Sequence, residues 1–253
     1  EAKNTDQAFL FNVSTKLSSP MLAISTTPPL SKSYIFFSSY FLQLNIETSS
    51  TNCSVSLSNN GKLVDCFEKD STNYSHSQKL HSFINEIMKK NKILFNDLKA
   101  VGVGIGPGSY TGLRIGLSAA KGICYALNIP LISTSSLENL IANIDFNGFL
   151  IPTIDARRDE VYSCIYDKNK KIIRPEIPEI INSKSFLNYS SKSKILIVGS
   201  GQFKCKKIID FDSNFNWDNN IQKPSARNMN LLSFKKFKIA DFEDTAYCEP
   251  KYL

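Results

Sequence analysis

The spacing of apolar residues predicts strands and helices in alternation along most of the chain. Residues 53–58 (CSVSLS) alternate strictly between apolar side chains and serines, which indicates a strand with the apolar face inward and the serines outward. Apolar residues recur at helical spacing from Ser75 to Lys90, so an amphipathic helix is expected there. Buried-strand patterns occupy Ala100–Ile105 and Lys194–Gly199, and a last helix is expected over Ser225–Phe237. The pattern therefore favours an α/β fold.

The first pattern returns, weakly, in the second half of the chain. Leu42 aligns with Leu150, and Glu47 aligns with Asp155. Each copy consists of a strand ending in an acidic residue, a polar turn and a return strand, and Asn59–Lys62 (NNGK) then marks a hairpin turn in the first copy. An internal repeat of this length predicts two similar α/β lobes packed side by side.

A glycine-rich turn leads from the strand at Ala100–Ile105 into a long helix. The turn Gly106–Gly108 (GPG) is expected to be sharp, because glycine tolerates positive φ and proline fixes φ near −65°. Ser109 or Thr111 can cap the helix by accepting hydrogen bonds from free backbone N–H groups. The helix is expected to continue to about Leu127.

This helix carries a stripe of small residues. Gly112, Gly116 and Ala120 follow one another at helical spacing, so one flank has almost no side chain. A bare flank lets another backbone approach closely. The approaching backbone can belong to the same lobe or to a partner subunit, and the pattern alone leaves both readings open.

The string at 106–122 (GPGSYTGLRIGLSAAKG), followed by IPLISTSSLE at 129–138, strongly resembles the bacterial TsaB (YeaZ) family. The resemblance extends back to LNIETS at 44–49 and forward to IDARRDEVY at 154–162. It ends with EPKYL at 249–253. The combined pattern is specific, whereas a lone GPG or a lone stripe of small residues would not be.

The resemblance implies a duplicated actin-like (sugar-kinase, ASKHA) fold with two lobes of mixed β-sheet and flanking helices. It implies an N-terminal lobe at 43–148, which holds the partner-binding helices, and a C-terminal lobe at 149–253. Residues 1–42 lie outside it, are rich in Ser and Thr, and contain no arginine. We interpret them as an upstream extension or fragment, with a targeting peptide or an additional structural element as the alternatives.

The resemblance also implies a function. The chain would be a non-catalytic subunit of TsaD, its catalytic paralogue, in threonylcarbamoylation of the adenosine next to the anticodon in tRNAs reading codons that begin with A. A TsaE-like ATPase would assist, tRNA would be met through the complex, and the chain alone would be able to form a homodimer. No cofactor, metal or membrane is expected, and the expected compartment is cytoplasmic. The implied partner interface comprises Gly106, Pro107, Gly108, Ser109, Tyr110, Thr111, Gly112, Leu113, Gly116 and Ala120.

Groups that could carry chemistry are few, and no catalytic or metal-binding residue is assigned. His76 and His81 are the two histidines, and their spacing turns a helix through about 500°, unlike the i, i+4 pair of a metal site. Glu47 and Asp155 end matching strands, but the turns after them lack the glycines that a phosphate grip needs. We interpret Glu47, Thr48 and Asp155 as a vestigial nucleotide cleft.

The charge and the cysteines restrict which partners and which cellular compartment are expected. The net charge of +7 admits a polyanionic partner, but lysine far outnumbers arginine, which favours a solvated surface over a dedicated nucleic-acid interface. Arg157 and Arg158 are candidate anion or RNA contacts. The six cysteines show no metal-like spacing and indicate a reduced, cytosolic setting, and no apolar run reaches the ~18–20 residues of a membrane span.

Three other functions stay open. The chain could be an active ATP-dependent small-molecule kinase of the same fold, a glycoprotease-like metallohydrolase or a freestanding RNA-binding protein. A kinase needs a working phosphate loop, a hydrolase needs a metal or nucleophile constellation, and RNA binding should weaken steeply with salt. The sequence contains neither G-x-x-x-x-G-K-[ST] nor G-x-S-x-G.

Overall fold

Two five-stranded sheets organise the computed structural model, which describes residues 40–71, 76–221 and 223–253. Almost all of the extension expected at 1–42, namely residues 1–39, lies outside the described residues. The strands of the first sheet are β1 (Leu42–Glu47), β2 (Asn52–Asn59), β3 (Lys62–Asp70), β4 (Leu98–Gly104) and β5 (Leu131–Thr134). They lie in the order β3-β2-β1-β4-β5.

The second sheet repeats the topology of the first. Its strands are β6 (Phe149–Asp155), β7 (Glu160–Tyr166), β8 (Ile172–Ile180), β9 (Ile195–Val198) and β10 (Phe215–Trp217). They lie in the order β10-β9-β6-β7-β8, which from the opposite edge matches the first sheet. In both sheets the first strand pairs antiparallel with the second and parallel with the fourth. The duplicated actin-like architecture is therefore confirmed.

Helices flank both sheets in the described part of the chain, and the first, second and last of them coincide with the helices predicted from the sequence, except that the last begins at Asn230. They are α1 (His76–Lys90), α2 (Tyr110–Leu127), α3 (Ser136–Ile141), α4 (Leu187–Ser190), α5 (Gln202–Ile208) and α6 (Asn230–Lys238). The apolar stripe of α1 is buried against the first sheet. Helix α2 ends as expected, because Asn128 takes the left-handed conformation (φ 51°) that commonly closes a helix.

The two halves exchange helices, which locks them together. Leu137 and Leu140 of α3 pack on Leu150 of β6, so a helix from the first half covers the second sheet. Helix α6 returns to the first sheet, where Ser233 Oγ donates a hydrogen bond to Asn45 Oδ1 at 2.6 Å. The space between the sheets is thus fixed by contacts from both halves.

The serine face of β2 is buried, contrary to the outward position predicted for it. Ser54, Ser56 and Ser58 have no solvent exposure. Ser56 Oγ donates to the carbonyl oxygen of Ala226 at 2.8 Å, and Ser54 Oγ accepts from the Ala226 N–H at 2.9 Å. The serine-to-alanine contacts span about 170 residues of chain, so the alternation in β2 could not reveal what covers it.

The last helix is also more polar in its contacts than its sequence suggests. A 3-10 turn at Ala226–Asn228 precedes α6, and Met229 between them is buried. The buried residues of α6 itself are Asn230 and Ser233. Asn230 Oδ1 accepts from Asn45 Nδ2 at 2.9 Å. Buried polar side chains of α6 and of the first sheet therefore form hydrogen bonds with one another.

Candidate functional site

The GPG turn fixes the start of α2 beside the end of β1. The Ser109 N–H donates to the carbonyl oxygen of Ser49 at 2.6 Å, and Ser109 Oγ caps α2 by accepting from the Gly112 N–H at 3.3 Å. Gly108 has a φ of 156°, and a Cβ there would lie 2.3 Å from the Ser49 oxygen. Close backbone approach is therefore the reason for glycine at this position.

The small-residue stripe of α2 packs against its own lobe. A Cβ on Gly112 would lie 2.1 Å from the Thr48 carbonyl oxygen, and a Cβ on Gly116 would lie 2.2 Å from Thr48 Oγ1. Leu113 and Ala120 have no solvent exposure. The expectation that Gly112, Leu113, Gly116 and Ala120 contact a partner is therefore corrected, because the same chain already covers them.

The residues of the expected interface that a partner can reach lie at the start of α2. Tyr110 and Thr111 are exposed. Gly108 and Ser109 are partly exposed, whereas Gly106 and Pro107 are buried. Contact of the exposed residues with a partner stays a prediction.

A groove of about 430 Å³ opens between α1 and α2 on their outer side. It is lined by Ser77 and His81 of α1 and by Arg114, Ile115, Ser118 and Ala119 of α2. The lining offers small hydroxyls, aliphatic carbon, one imidazole and one guanidinium. Both helices that the resemblance connects with a partner thus build one continuous concave surface.

An exposed aromatic cluster at the start of α2 escaped the sequence analysis. The Arg114 guanidinium lies 4.0 Å from the ring centre of Tyr110, and Arg114 Nε donates to the Tyr252 hydroxyl at 2.9 Å. EPKYL at 249–253 carries part of the resemblance, which signals that this segment has a role. No local pattern pairs it with Arg114.

Glu47, at the end of β1, is fully buried. Its Oε1 accepts from the Ser49 N–H at 2.7 Å, and its Oε2 lies 3.4 Å from Ser136 Oγ. Gly104 makes room for it, since a Cβ there would lie 2.2 Å from Glu47 Oε2. Burial raises the pKa of Glu47 more than the hydrogen bonds from Ser49 and Ser136 lower it. This carboxyl is a closed structural group in the present conformation.

Asp155, at the equivalent end of β6, has the opposite environment. Its side chain is 49% exposed, and its Oδ1 lies 2.9 Å from Lys204 Nζ. The same oxygen accepts from the Arg157 N–H at 2.7 Å. Glu47 and Asp155 are therefore equivalent in topology but not in chemistry, and the nucleotide cleft assigned to Glu47, Thr48 and Asp155 stays a prediction.

Arg157 and Arg158 occupy the tight turn between β6 and β7. Both have positive φ, at 74° and 43°, which is uncommon for residues other than glycine. Lys204 Nζ braces this turn by donating to the Glu160 carbonyl oxygen at 2.7 Å. Both arginine side chains are exposed, and their contact with an anion or RNA stays a prediction.

A second cavity, also of about 430 Å³, lies between β2, β3 and the segment before α6. Its charged side chains pair with one another: Arg227 with Glu68, and Lys223 with Asp70. Within residues 40–71, 76–221 and 223–253, no three His, Cys, Asp or Glu side chains come together as a metal site requires. None of the helices in those ranges combines the length and apolar character needed to cross a membrane.

The repeated sheets and exchanged helices define a protein of the duplicated actin-like class, and comparisons with known proteins narrow this to a family. A family model described as TsaD, tRNA N6-adenosine threonylcarbamoyltransferase, matches residues 70–214, more than half of the chain. The solved structure of YeaZ from Pseudomonas aeruginosa superposes with a TM-score of 0.73 at 21% identity, covering 84% of this chain and 100% of that one. At this identity the likeness shows the fold.

Curated relatives named "tRNA threonylcarbamoyladenosine biosynthesis protein TsaB" match in sequence. The Bacillus subtilis protein is 36% identical over 42% of this chain and 46% of its own length. The Escherichia coli protein is 31% identical over 53% of this chain and 63% of its own length. A Buchnera aphidicola protein is 30% identical over 66% of this chain and 78% of its own length. The match thus spans about half of the length of the first relative and less than two thirds of the length of the second. Because the third relative is 30% identical and is matched over 78% of its length, the chain belongs to the TsaB (YeaZ) family.

Proposed function

We propose that this chain is a non-catalytic subunit in the biosynthesis of threonylcarbamoyladenosine in tRNA. It pairs with a TsaD-like catalytic paralogue, works with a TsaE-like ATPase and meets tRNA through the complex. The modified base is the adenosine next to the anticodon in tRNAs reading codons that begin with A. The names of the curated relatives support this pathway. The proposed compartment is the cytoplasm, where the six free cysteines would stay reduced.

The two-sided use of α2 is the observation that carries the proposed pairing. Its inner flank, with Gly112 and Gly116, is locked onto the residues after β1. Its outer flank, with Tyr110 and Ser118, is exposed and shares a groove with α1. A rigid concave surface on two anchored helices is well suited to receive a protein, because little order must be gained on binding.

The environments of Glu47 and Asp155, at the ends of β1 and β6, support the proposal that this subunit is not catalytic. An actin-like kinase uses acidic residues at these positions on a metal-bound nucleotide. Here Glu47 is fully buried, and Asp155 is held by Lys204. Neither carboxyl is free to act unless the surrounding contacts rearrange.

Co-expression with the TsaD homologue of the same cell should yield a stable heterodimer in size-exclusion chromatography. The purified chain alone should show neither ATPase nor threonylcarbamoyl transfer. A Ser118→Arg variant should weaken the heterodimer at least about 10-fold, because a long charged side chain then fills the groove. Its melting temperature should stay close to that of the wild type, since the position is exposed.

Ser213→Arg supplies the matched control, because it places the same side chain on an exposed loop of the other half. This control should bind the TsaD homologue like the wild type. If the chain forms a homodimer when alone, Ser118→Arg should make it monomeric, since self-pairing would use the same surface. Turnover of ATP by the chain alone, or normal pairing by Ser118→Arg, would contradict the proposal.

A further inference from the structure

The exposed cluster at the start of α2 is built to hold one guanidinium in a fixed position. Arg114 stacks on Tyr110, with 4.0 Å between the guanidinium carbon and the ring centre. Its Nε is bound by the Tyr252 hydroxyl at 2.9 Å. The two tyrosine rings lie 5.0 Å apart between their centres. An arginine on an exposed helix face is normally mobile, and the stacking and the hydrogen bond restrict the motion of Arg114.

Tyr252 is itself anchored by the neighbouring residue. The Lys251 N–H donates to the carbonyl oxygen of Ile105 at 2.7 Å. Lys251 Nζ pairs with Glu176 Oε2 of β8 at 2.6 Å, and the Glu176 side chain is only 7% exposed. The segment that carries Tyr252 is thus tied to both sheets. Its hydroxyl is a fixed acceptor for Arg114.

The guanidinium has no carboxylate partner in the described part of the chain. Arg227 pairs with Glu68, and Arg174 pairs with Glu179. Among the described residues, the hydrogen bonds and ring contacts of Arg114 are with Tyr110 and Tyr252, so no carboxylate occupies its fork. A planar fork of this kind matches the two oxygens of a carboxylate.

We propose that Arg114, held by Tyr110 and Tyr252, receives an Asp or Glu side chain of the protein that docks in the groove between α1 and α2. This inference rests on the pairing proposed above and adds the residue that orients it. The remaining lining of the groove is Ser77, His81, Ile115, Ser118 and Ala119. A phosphate backbone is bound by several cations at once, whereas the lining of this groove contains one arginine and no lysine. The chemistry therefore fits a protein carboxylate.

Calorimetric titration with the TsaD homologue of the same cell tests this assignment. Arg114→Gln should weaken binding roughly 10- to 100-fold, because it leaves the partner's carboxylate without its charged donor. Arg114→Lys should recover only part of that loss, since lysine keeps the charge but cannot form the fork. Tyr252→Phe should weaken binding a few-fold, because Arg114 then lacks the hydroxyl that holds its Nε. Melting temperatures of all three variants should match the wild type.

Two control variants change exposed residues that do not line the groove. Lys192→Gln removes one exposed positive charge from the second half, and Tyr247→Phe removes a hydroxyl from a side chain that is 83% exposed near the same segment. Both should bind the partner within about 2-fold of the wild type. If Arg114→Gln and Arg114→Lys bind as the wild type does, the assignment of Arg114 is wrong while the pairing stands.

Two other results separate the remaining sources of failure. If the wild-type chain does not bind the TsaD homologue, the pairing itself is wrong and this inference falls with it. If the chain alone binds tRNA transcripts and Arg114→Gln weakens that binding as strongly as it weakens the heterodimer, the ligand of Arg114 is a phosphate and the carboxylate is excluded.

Discussion

The Gly112→Ala variant should be at least about 2 kcal/mol less stable than the wild type. The added Cβ would lie 2.1 Å from the carbonyl oxygen of Thr48, which is a backbone atom and cannot rotate away. Either α2 or the chain after β1 must move, and the hydrogen bond from Thr48 Oγ1 to the Gly112 oxygen, 2.8 Å long, is strained with it. Denaturant titration should report the loss, and the melting temperature should fall by roughly 4–8 °C.

Gly122→Ala is the matched control, because it makes the same change nearly three turns further along α2. A Cβ on Gly122 would meet no atom within 4 Å. The only expected effect is the better helix propensity of alanine, which should stabilise the protein by about 0.5–1 kcal/mol. Equal effects at the two positions, in either direction, would show that the inner flank of α2 does not pack as described.

The same packing decides how variants of the stripe should be interpreted. Gly116→Leu would be a natural choice for disrupting an interface of small residues. Yet Gly116 faces Thr48 and Ile46 of its own lobe. Loss of a partner in that variant would report a damaged fold, so only exposed positions such as Ser118 test the interface itself.

The spacing of apolar residues was sufficient to predict most of the strands and helices, because it determines which face of an element is apolar. The stripe of α1 is buried against the first sheet. The repeat anticipated from Leu42 and Leu150 is real, since these residues begin equivalent stretches of β1 and β6. The hairpin at Asn60 and Gly61 also follows, with φ values of 50° and 76° that suit a two-residue turn.

The features that sequence reasoning missed depend on contacts between distant parts of the chain. A stripe such as Gly112 and Gly116 signals that something approaches, but not whether it is a neighbouring strand or another protein. Ser56 looks solvated until Ala226 supplies its partner. Arg114 looks like an ordinary helix residue until Tyr252 meets it. In each case the deciding group lies far away in sequence.

The twin strand ends show how a repeated fold can diverge in chemistry. Glu47 and Asp155 align in sequence and end equivalent strands. Asn139 of α3, a helix exchanged onto the second sheet, lies 3.5 Å from Glu47 Oε2. Asp155 instead faces solvent beside Lys204. The covering elements, rather than the strands, therefore determine which carboxyl is accessible to solvent.

Glu47 should make the stability of the protein depend on pH, and Glu47→Gln should remove that dependence. Burial raises the folded-state pKa of Glu47 above its ordinary value of 4.5. Below pH 4.5 both states hold the proton and the carboxyl imposes no penalty. As the pH rises to the folded pKa, the unfolded chain releases the proton while the folded chain retains it, so stability is lost. The loss is about 1.4 kcal/mol for each pH unit between the two pKa values.

Denaturant titrations of both proteins from about pH 4 to pH 8 measure this difference directly. Glutamine stays neutral, so the stability of Glu47→Gln relative to the wild type should rise with pH, whatever constant cost its altered hydrogen bonds impose. Glu68→Gln should give the opposite slope. Burial favours a higher pKa for Glu68, but hydrogen bonds from Ser225 and Arg227 outweigh it and lower the pKa. Glu68 therefore contributes stability above pH 4.5 that is lost on acidification. Parallel slopes for the two variants would mean that Glu47 is not the closed, buried carboxyl described here, and that its cleft is accessible to solvent.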